Sequence, residues 1–395
     1  MNIGNYQPRT PLNDPLNITP TARHRNCVPL TKKRMRYPFY IRATIILLGL
    51  SLLFFALSTL KSLCIPFALA AVIAILLNPI VDWLHGKGVN LVLAISISVT
   101  SAIALIAFVG WFIISQSAKV GQDFPEMKVK FEKQVHSLKS FLDRKANISF
   151  KKQEELLKKA NENLETVLTE LAGSMLGSLS VIILLPVYLF LLLYYKQLIL
   201  NFIYEVVNDR YAGKLDKVLA ESKTAIQKYM SGLMLETLIV AVLNSVALLL
   251  WGVKYAILVG VLGALLNLIP YIGGIIAIAL PVIVATVTKD GFNTQLGVIA
   301  SYMVIQFIDN HYLMPVIVSS KVRINALISI VATILMGMLW GIAGMFLSIP
   351  LVGILKIAFD RIPGMEPWGK LLGDEVPLVH RGALLKRRRK KLPVT

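Results

Sequence analysis

Residues 265–281 read L-L-N-L-I-P-Y-I-G-G-I-I-A-I-A-L-P and interrupt one of the longest apolar runs of the chain. The whole run extends from Tyr255 to Val287, and it is longer than the roughly 17–25 residues that usually cross a bilayer. Asn267, Pro270 and the pair Gly273–Gly274 favour a break in the middle of this helix. Lipid cannot bind the backbone groups that such a break frees, so the break is expected inside protein or beside a water-filled cavity.

A second long run, Ala326–Leu355, is interrupted in a similar way by W-G-I-A-G at residues 340–344. When the two runs are laid over each other at an offset of 69 residues, Tyr271 falls on Trp340 and Pro281 falls on Pro350. Interrupted apolar segments at matching places in two halves of a chain are typical of transporter binding sites. The sequence therefore predicts a substrate pathway along the broken helices, with the candidate residues Asn267, Pro270, Tyr271, Gly273, Gly274, Gly341, Gly344 and Pro350.

The composition of the chain indicates a membrane protein. Hydrophobic residues make up 56% of the 395 residues and charged residues 16%, whereas soluble domains have about 45–50% and about 25%. The excess is concentrated in runs of the length that a membrane-spanning helix needs. We predict an all-α polytopic membrane protein with eight membrane-embedded apolar segments, Ala43–Leu60, Leu63–Val81, Leu91–Ile114, Ser174–Tyr195, Leu233–Val253, Tyr255–Val287, Leu296–Val318 and Ala326–Leu355.

Two topologies are compatible with these eight segments. Either all eight cross the membrane, or six cross and the two long runs re-enter it as helical hairpins. Lys321 and Arg323 lie outside in the first case and inside in the second, and the excess of Lys and Arg in cytoplasmic loops favours the hairpins.

The chain is basic at both ends, with a net charge of +7 up to Arg42 and +5 from Asp360 onward. Both termini are therefore expected in the cytoplasm.

The polar stretches between the apolar segments divide the chain. Apolar residues recur at helical spacing in 115–173, which predicts an amphipathic helical hairpin on the extracytoplasmic side. A weaker stripe in 196–230 predicts a cytoplasmic amphipathic helix at the membrane surface. The predicted organisation is a disordered basic tail at 1–36, three spans at 37–114, the extracytoplasmic hairpin at 115–173, a fourth span at 174–195, the cytoplasmic helix at 196–230, a membrane core with two broken helices at 231–357 and a basic tail at 358–395.

Two acidic residues, Glu236 and Asp309, lie inside apolar segments. A charged group in the membrane costs several kcal/mol unless it is paired or hydrated. Gln306, Asp309 and Asn310 are spaced to share about one helical face, which predicts either a polar lining for an ion or substrate path or hydrogen bonding between helices. Glu236 lies near the cytoplasmic end of its segment, where it could simply reach water.

Other classes of function have little support in the sequence. No Gly-rich phosphate loop, paired metal ligands or catalytic constellation is present, so we expect no enzyme, no cofactor and no metal site. The basic run Lys386–Lys391 suits anionic lipid head groups beside a membrane better than nucleic acid. The expected partners are membrane lipids.

The interrupted motifs resemble those of the autoinducer-2 exporter family. The resemblance is carried by Leu265–Pro281, by D-N-H-Y-L-M-P at Asp309–Pro315, by L-W-G-I-A-G-M-F-L-S-I-P-L at Leu339–Leu351 and by L-L-N-P-I-V-D-W-L at Leu76–Leu84. It extends over roughly residues 40–360 and includes the extracytoplasmic insertion. One departure is the pair Gly273–Gly274, where the family usually has Gly-Pro.

This resemblance implies a secondary transporter that exports a small polar molecule such as the quorum-sensing signal autoinducer-2. It also implies a homo-oligomer, by family likeness a pentamer, and protons or sodium as coupling ions, with Asp309 as the residue that couples. A monovalent cation/proton antiporter is the alternative within the same class. A membrane scaffold or sensor that does not transport, using the 115–173 hairpin to hold a partner, is the alternative from another class.

Overall fold

The computed structural model describes residues 38–146, 179–207, 212–270, 273–289, 293–318 and 323–375. Every element in these ranges is helical and none is a strand, which confirms the predicted all-α fold. The chain forms two compact units, 1–51 and 52–395, and the packing described below lies within the second. The helices are α1 Phe39–Thr59, α2 Lys61–Gly86, α3 Leu91–Ala146, α4 Leu179–Tyr194, α5 Lys196–Val206, α6 Ala212–Leu250, α7 Ala256–Asn267, α8 Gly273–Thr288, α9 Asn293–Ile308 with a π-helical continuation Asp309–Val318, α10 Ala326–Arg361 and α11 Glu366–Leu372.

Five of these helices are long and apolar enough to cross a membrane, namely α1, α2, the first part of α3, α6 and α10. The pair α4 and α5, which is bent by 66°, could form a sixth crossing. The membrane character predicted from composition is therefore confirmed. Eight crossings are not confirmed: α7 and α8 are only 12 and 16 residues long, and each is shorter than the roughly 17 residues that a crossing needs. The alternative of six crossings and two re-entrant hairpins stays a prediction.

The first long apolar run folds back on itself as an antiparallel pair of helices, which we call hairpin 1. The first arm, α7, ends at Asn267, and the second arm, α8, begins at Gly273. A Cβ added at Gly263 in the first arm would touch Ala277 in the second, and one added at Gly273 would overlap the carbonyl group of Leu266. The glycines therefore allow the two arms to pack with their backbones in close contact.

The second long run, α10, also folds back on itself, and we call it hairpin 2. Trp340 and Gly341 lie outside the helical region of backbone conformation, and Gly341 has φ +62°, which only glycine adopts at low cost. A Cβ at Gly344 would overlap the carbonyl group of Met336 across the turn. Although α10 has the length and composition of a span, its two halves are thus antiparallel arms.

The two ends of hairpin 1 meet beside the long helix α3. The backbone of Gly252, just before α7, lies against the side chain of Lys289, just after α8. Lys254 and the hydroxyl group of Tyr255 both donate hydrogen bonds to the carboxylate of Asp123 in α3. We call this side of the molecule the Lys254 end.

The two ends of hairpin 2 meet at the opposite end of α6. The backbone N–H of Asn325 donates to the carbonyl of Leu372 at 3.1 Å, and its side-chain amide donates to the carbonyls of Leu371 and Gly373 at 2.6 and 3.1 Å. Arg361, at the end of the second arm, donates to Glu221 near the start of α6. Because α6 runs from this Arg361 end to the Lys254 end, the two hairpins enter the molecule from opposite sides.

Both hairpin tips pack against one apolar cluster, which we call the tip core. Leu268 from hairpin 1 and Trp340 from hairpin 2 contact it. A second apolar cluster, the hairpin 1 core, fills the body of that hairpin toward the Lys254 end. The tip core consists of Val72, Ile226, Tyr229, Met230, Leu233, Val318 and Leu347, and the hairpin 1 core of Leu248, Val253, Ala256, Val259, Val284, Ala285, Val298 and Tyr302.

The polar stretches differ in part from the predicted organisation. The first half of the 115–173 insertion belongs to α3, which continues without a break to Ala146. Its second half lies outside the described residues, so the extracytoplasmic hairpin stays a prediction. The amphipathic stretch before residue 231 is the first half of α6 and continues directly into the apolar stretch. Both predicted tails lie mostly outside the described residues.

Candidate functional site

Three polar side chains meet at the tip of hairpin 1. Asn267, the last residue of α7, donates from its side-chain amide to Glu236 Oε1 at 3.2 Å and to Asp309 Oδ2 at 2.9 Å. Glu236 belongs to α6, and Asp309 is the first residue of the π-helical continuation of α9. Helix α7 thus ends at Asn267, and the side-chain amide of this last residue bridges two carboxyl groups.

These two carboxyl groups, the carboxylate pair, are almost fully buried. Glu236 and Asp309 are each only 2% exposed, so the expectation that Glu236 could simply reach water is wrong. Asp309 Oδ1 has no hydrogen-bond partner among the described residues. Two buried negative charges next to each other repel strongly, and burying even one unpaired carboxylate is costly. A proton or a small cation bound at the pair would remove much of this cost.

The D-N-H-Y-L-M-P motif lies in the π-helical continuation of α9, and only part of it is buried. Residues Asp309–Val318 form a wider helix than α9, and π-helical turns are rare and concentrated at functional sites. Asp309 is buried, whereas its neighbour Asn310 is exposed. The predicted shared face of Gln306, Asp309 and Asn310 therefore does not include Asn310.

Gln306 lies beside the same site. A Cβ added at Gly274 would lie 3.3 Å from Gln306 Oε1 and 3.6 Å from Asn267 Oδ1. The contact with Gln306 would be tighter than an ordinary van der Waals contact, so Gly274 leaves slightly less room than a methyl group needs beside these two amide oxygens. Its neighbour Gly273 provides the close packing of the two arms.

The remaining predicted residues are distributed over both hairpins. Pro270 lies in the turn of hairpin 1, and Tyr271 lies outside the described residues. Gly341 forms the turn of hairpin 2, and Gly344 and Pro350 are buried in its second arm. No hydrogen bond in the described part of the chain connects these three residues to the carboxylate pair.

Sequence reasoning selected Asn267 only as a helix breaker, and it missed two polar residues on α6. Thr237 lies next to Glu236, with 3.4 Å between its hydroxyl group and Glu236 Oε2. Asn244, which is two turns further along α6, is 2% exposed. A search for every polar residue at helical spacing from Glu236 would have found Asn244, but nothing in the sequence pairs Asn267 with the acids.

Long apolar helices, two opposed hairpins that break within the apolar region, and a buried polar cluster at a hairpin tip define a polytopic membrane transporter with broken helices. The chain belongs to the AI-2E family of transporters, because the model of that family matches residues 43–364. This confirms the resemblance seen in the sequence motifs.

Individual relatives agree with this assignment. The chain is similar to the AI-2 transport protein TqsA of Escherichia coli K12, with 29% identity over 323 residues that cover 78% of this chain and 89% of TqsA. It is also similar to a Haemophilus influenzae protein named for a presumed transport role, with 28% identity over 342 residues, 83% of this chain and 96% of the relative. A Bacillus subtilis protein named in the same way, YueF, is 25% identical over 319 residues, 76% of this chain and 85% of the relative.

Proposed function

We propose that this chain is an ion-coupled secondary transporter that exports a small polar molecule, such as autoinducer-2, across the bacterial inner membrane. In this proposal the carboxylate pair binds the coupling proton or sodium ion, and the hairpin tips adjoin the substrate pathway. The protein has no enzymatic role and needs no cofactor. The name of TqsA, whose substrate is given as AI-2, supports this choice of substrate.

The observation that carries the proposal is the bridge from Asn267 to both Glu236 and Asp309. Asn267 sits at a hairpin tip, while the two acids belong to separate long helices. A cation or proton that binds between the acids changes the charge that the tip amide contacts. Ion binding and movement of the hairpin are therefore energetically linked, as coupling requires.

A monovalent cation/proton antiporter is the second candidate, and the same pair favours it. Two buried carboxyl groups and two nearby amide oxygens are hard oxygen ligands of the kind that bind small cations. Such a site can exchange a cation for protons without any organic substrate. The two candidates differ in cargo, and they share the site.

The proposed topology has two re-entrant hairpins and six crossings: α1, α2, the first part of α3, the bent pair α4 and α5, α6, and α9 with its continuation. The hairpins enter from opposite sides of the membrane, as in transporters built from inverted repeats. Arg323, Lys356 and Arg361 all belong to the ends of hairpin 2, which supports a cytoplasmic Arg361 end and cytoplasmic termini. By family resemblance we expect a homo-oligomer, with a pentamer as the first candidate.

Flux measurements in proteoliposomes test the proposal. The purified full-length chain is reconstituted, and movement of labelled autoinducer-2 is followed under an imposed proton or sodium gradient. We expect flux that responds to the gradient, and Asp309→Asn and Glu236→Gln should each abolish that response. Asp82→Asn, which changes a half-exposed acid at the end of α2, is the matched control and should respond like the wild type.

Other outcomes redirect the assignment. Dissipation of the proton gradient by added sodium, without movement of autoinducer-2, would favour the antiporter. Folded protein that moves neither the signal nor an ion would contradict both candidates and favour the scaffold. A gradient response that survives Asp309→Asn and Glu236→Gln would remove the carboxylate pair from the mechanism.

A further inference from the structure

Asn244 marks a second buried polar position, on the same face of α6 as Glu236. It lies eight residues, or about 12 Å of helix, from Glu236 in the direction of the Lys254 end. Its side chain is 2% exposed, and its Oδ1 has no hydrogen-bond partner among the described residues. A buried amide oxygen normally finds a partner, and ordered water supplies one where the protein does not.

Gly263, in the first arm of hairpin 1, leaves room beside the side-chain amide of Asn244. A Cβ added at Gly263 would make ordinary contacts, 3.4 Å from Asn244 Nδ2 and 3.6 Å from the carbonyl oxygen of Ala277. A methyl-sized space therefore exists there, with an amide and a backbone carbonyl on its walls. The glycine one turn earlier differs, because a Cβ at Gly260 would overlap the backbone of Ser245.

The space at Gly263 and the smaller one at Gly274 lie along the inside of the same hairpin. The space at Gly274 has Gln306 and Asn267 on its walls, directly beside the carboxylate pair. Toward the Lys254 end the hairpin 1 core follows, and within it Tyr302 carries a hydroxyl group that is also buried without a partner among the described residues. Polar atoms and glycine-made spaces thus continue from the carboxylate pair into the body of the hairpin.

We propose that Asn244, Gly263 and Tyr302 line a narrow hydrated passage inside hairpin 1, through which protons or small monovalent cations reach the carboxylate pair from the Lys254 end. In this conformation the hairpin 1 core closes the passage on that side. The inference rests on the proposed ion coupling for its cargo. The hydration of the passage, however, is a property of the fold and can be measured independently of transport.

Thiol labelling measures that hydration directly. In a background of Cys27→Ser and Cys64→Ser, Asn244→Cys is compared with Leu248→Cys, a fully buried apolar position one turn further along α6. Silver ion, a monovalent thiol-reactive cation small enough for the proposed passage, is added to the reconstituted protein, and the loss of free thiol is followed. We expect Asn244→Cys to react at least about tenfold faster than Leu248→Cys, and Gly263→Ala to suppress the reaction at position 244. Equal rates at positions 244 and 248 would overturn the passage, whatever the protein transports.

Gly263→Ala also tests whether Gly263 serves the passage or only the packing of the hairpin. The added methyl group fits, and alanine favours a helix over glycine, so the unfolding temperature should stay the same or rise. Gradient-driven flux should nevertheless fall at least about fivefold, and Tyr302→Phe should lower it too. Gly110→Ala in α3, where a Cβ would meet nothing within 4 Å among the described residues, should leave flux unchanged. Wild-type flux in Gly263→Ala, or a flux loss that follows a loss of stability, would contradict the proposal.

If labelling supports a hydrated passage and no ion moves, the passage stands and the proposed ion coupling fails. If an ion moves and labelling detects no hydrated passage, the ion takes another route. The two experiments therefore distinguish failure of this inference from failure of the proposed function.

Discussion

The hydroxyl oxygen of Thr333 lies 3.1 Å from that of Ser348, although fifteen residues separate them along α10. In a continuous helix the two residues would be about 22 Å apart. The contact therefore requires that the chain reverse between them, which it does at Trp340 and Gly341. This reversal returns the second long apolar run to the Arg361 end.

The reversal predicts a specific disulfide. In the background without Cys27 and Cys64, the double change Thr333→Cys and Ser348→Cys should form an intramolecular disulfide on mild oxidation, because the two side chains are already in contact. Mass spectrometry of the digested protein detects the linked peptides. The pair Thr333→Cys with Leu355→Cys is the control and should stay unlinked, since residue 355 lies about 10 Å further along the second arm. A continuous spanning helix would give no disulfide in either protein.

Gly344 should tolerate no side chain. A Cβ there overlaps the carbonyl group of Met336, so Gly344→Ala must separate the arms of hairpin 2 and should lower the free energy of unfolding by about 1–3 kcal/mol. Thermal unfolding in detergent or nanodiscs measures the change. Gly110→Ala should be neutral or stabilising by up to about 1 kcal/mol. Equal effects of the two alanines would contradict the close packing of the arms.

Asn267 should contribute most to the free energy of unfolding when both acids are present. Asn267→Leu removes the only amide that bridges the carboxylate pair in the described structure, and it should cost about 2–4 kcal/mol because hydrogen bonds to charged groups are lost. In a Glu236→Gln, Asp309→Asn background the same change should cost about 1 kcal/mol, since only neutral hydrogen bonds are lost. Denaturant titrations of the four proteins give the coupling energy. If Asn267→Leu lowers the free energy of unfolding by the same amount in both backgrounds, the bridge does not depend on the charge of the two acids.

The contact between hairpin 1 and α3 should weaken in acid. Hydrogen bonds from Lys254 and Tyr255 lower the pKa of Asp123 below its usual value. A carboxyl group with a lowered pKa stabilises the fold at pH values above its unfolded pKa of about 3.9, and that contribution is lost as the pH falls through the folded pKa. We therefore expect Asp123→Asn to unfold at a lower temperature than the wild type at pH 7.

The difference between wild type and Asp123→Asn should shrink when both are measured below about pH 3.5, and it should also shrink in high salt, because the contact is exposed to solvent. Lys254→Met should show the same dependence. A difference that stays constant from neutral to acidic pH would indicate lost packing and exclude lost charge as the cause.

The candidate site was only partly predictable. Glu236 and Asp309 stand out because acids in apolar runs are rare, and the helix breaks stand out because Pro and Gly act locally. Glu236 was expected near water, since its position was judged by distance from the end of a run. Asn310 was expected on the same face as Asp309 because both follow Gln306 at helical spacing, but spacing alone cannot tell which side of a helix the rest of the protein covers.

The class of the protein and the places where its helices break could be predicted from the residues alone. Both are local properties: an apolar run of membrane length must be helical in lipid, and Asn267, Pro270 and Gly341 act on the backbone next to them. The folding back of both long runs, and the bridge from Asn267 to Glu236 and Asp309, which are 31 and 42 residues away, became evident in the packed structure. Those contacts depend on how the backbones of separate helices pack, and the glycines that permit such packing leave no periodic pattern in the sequence.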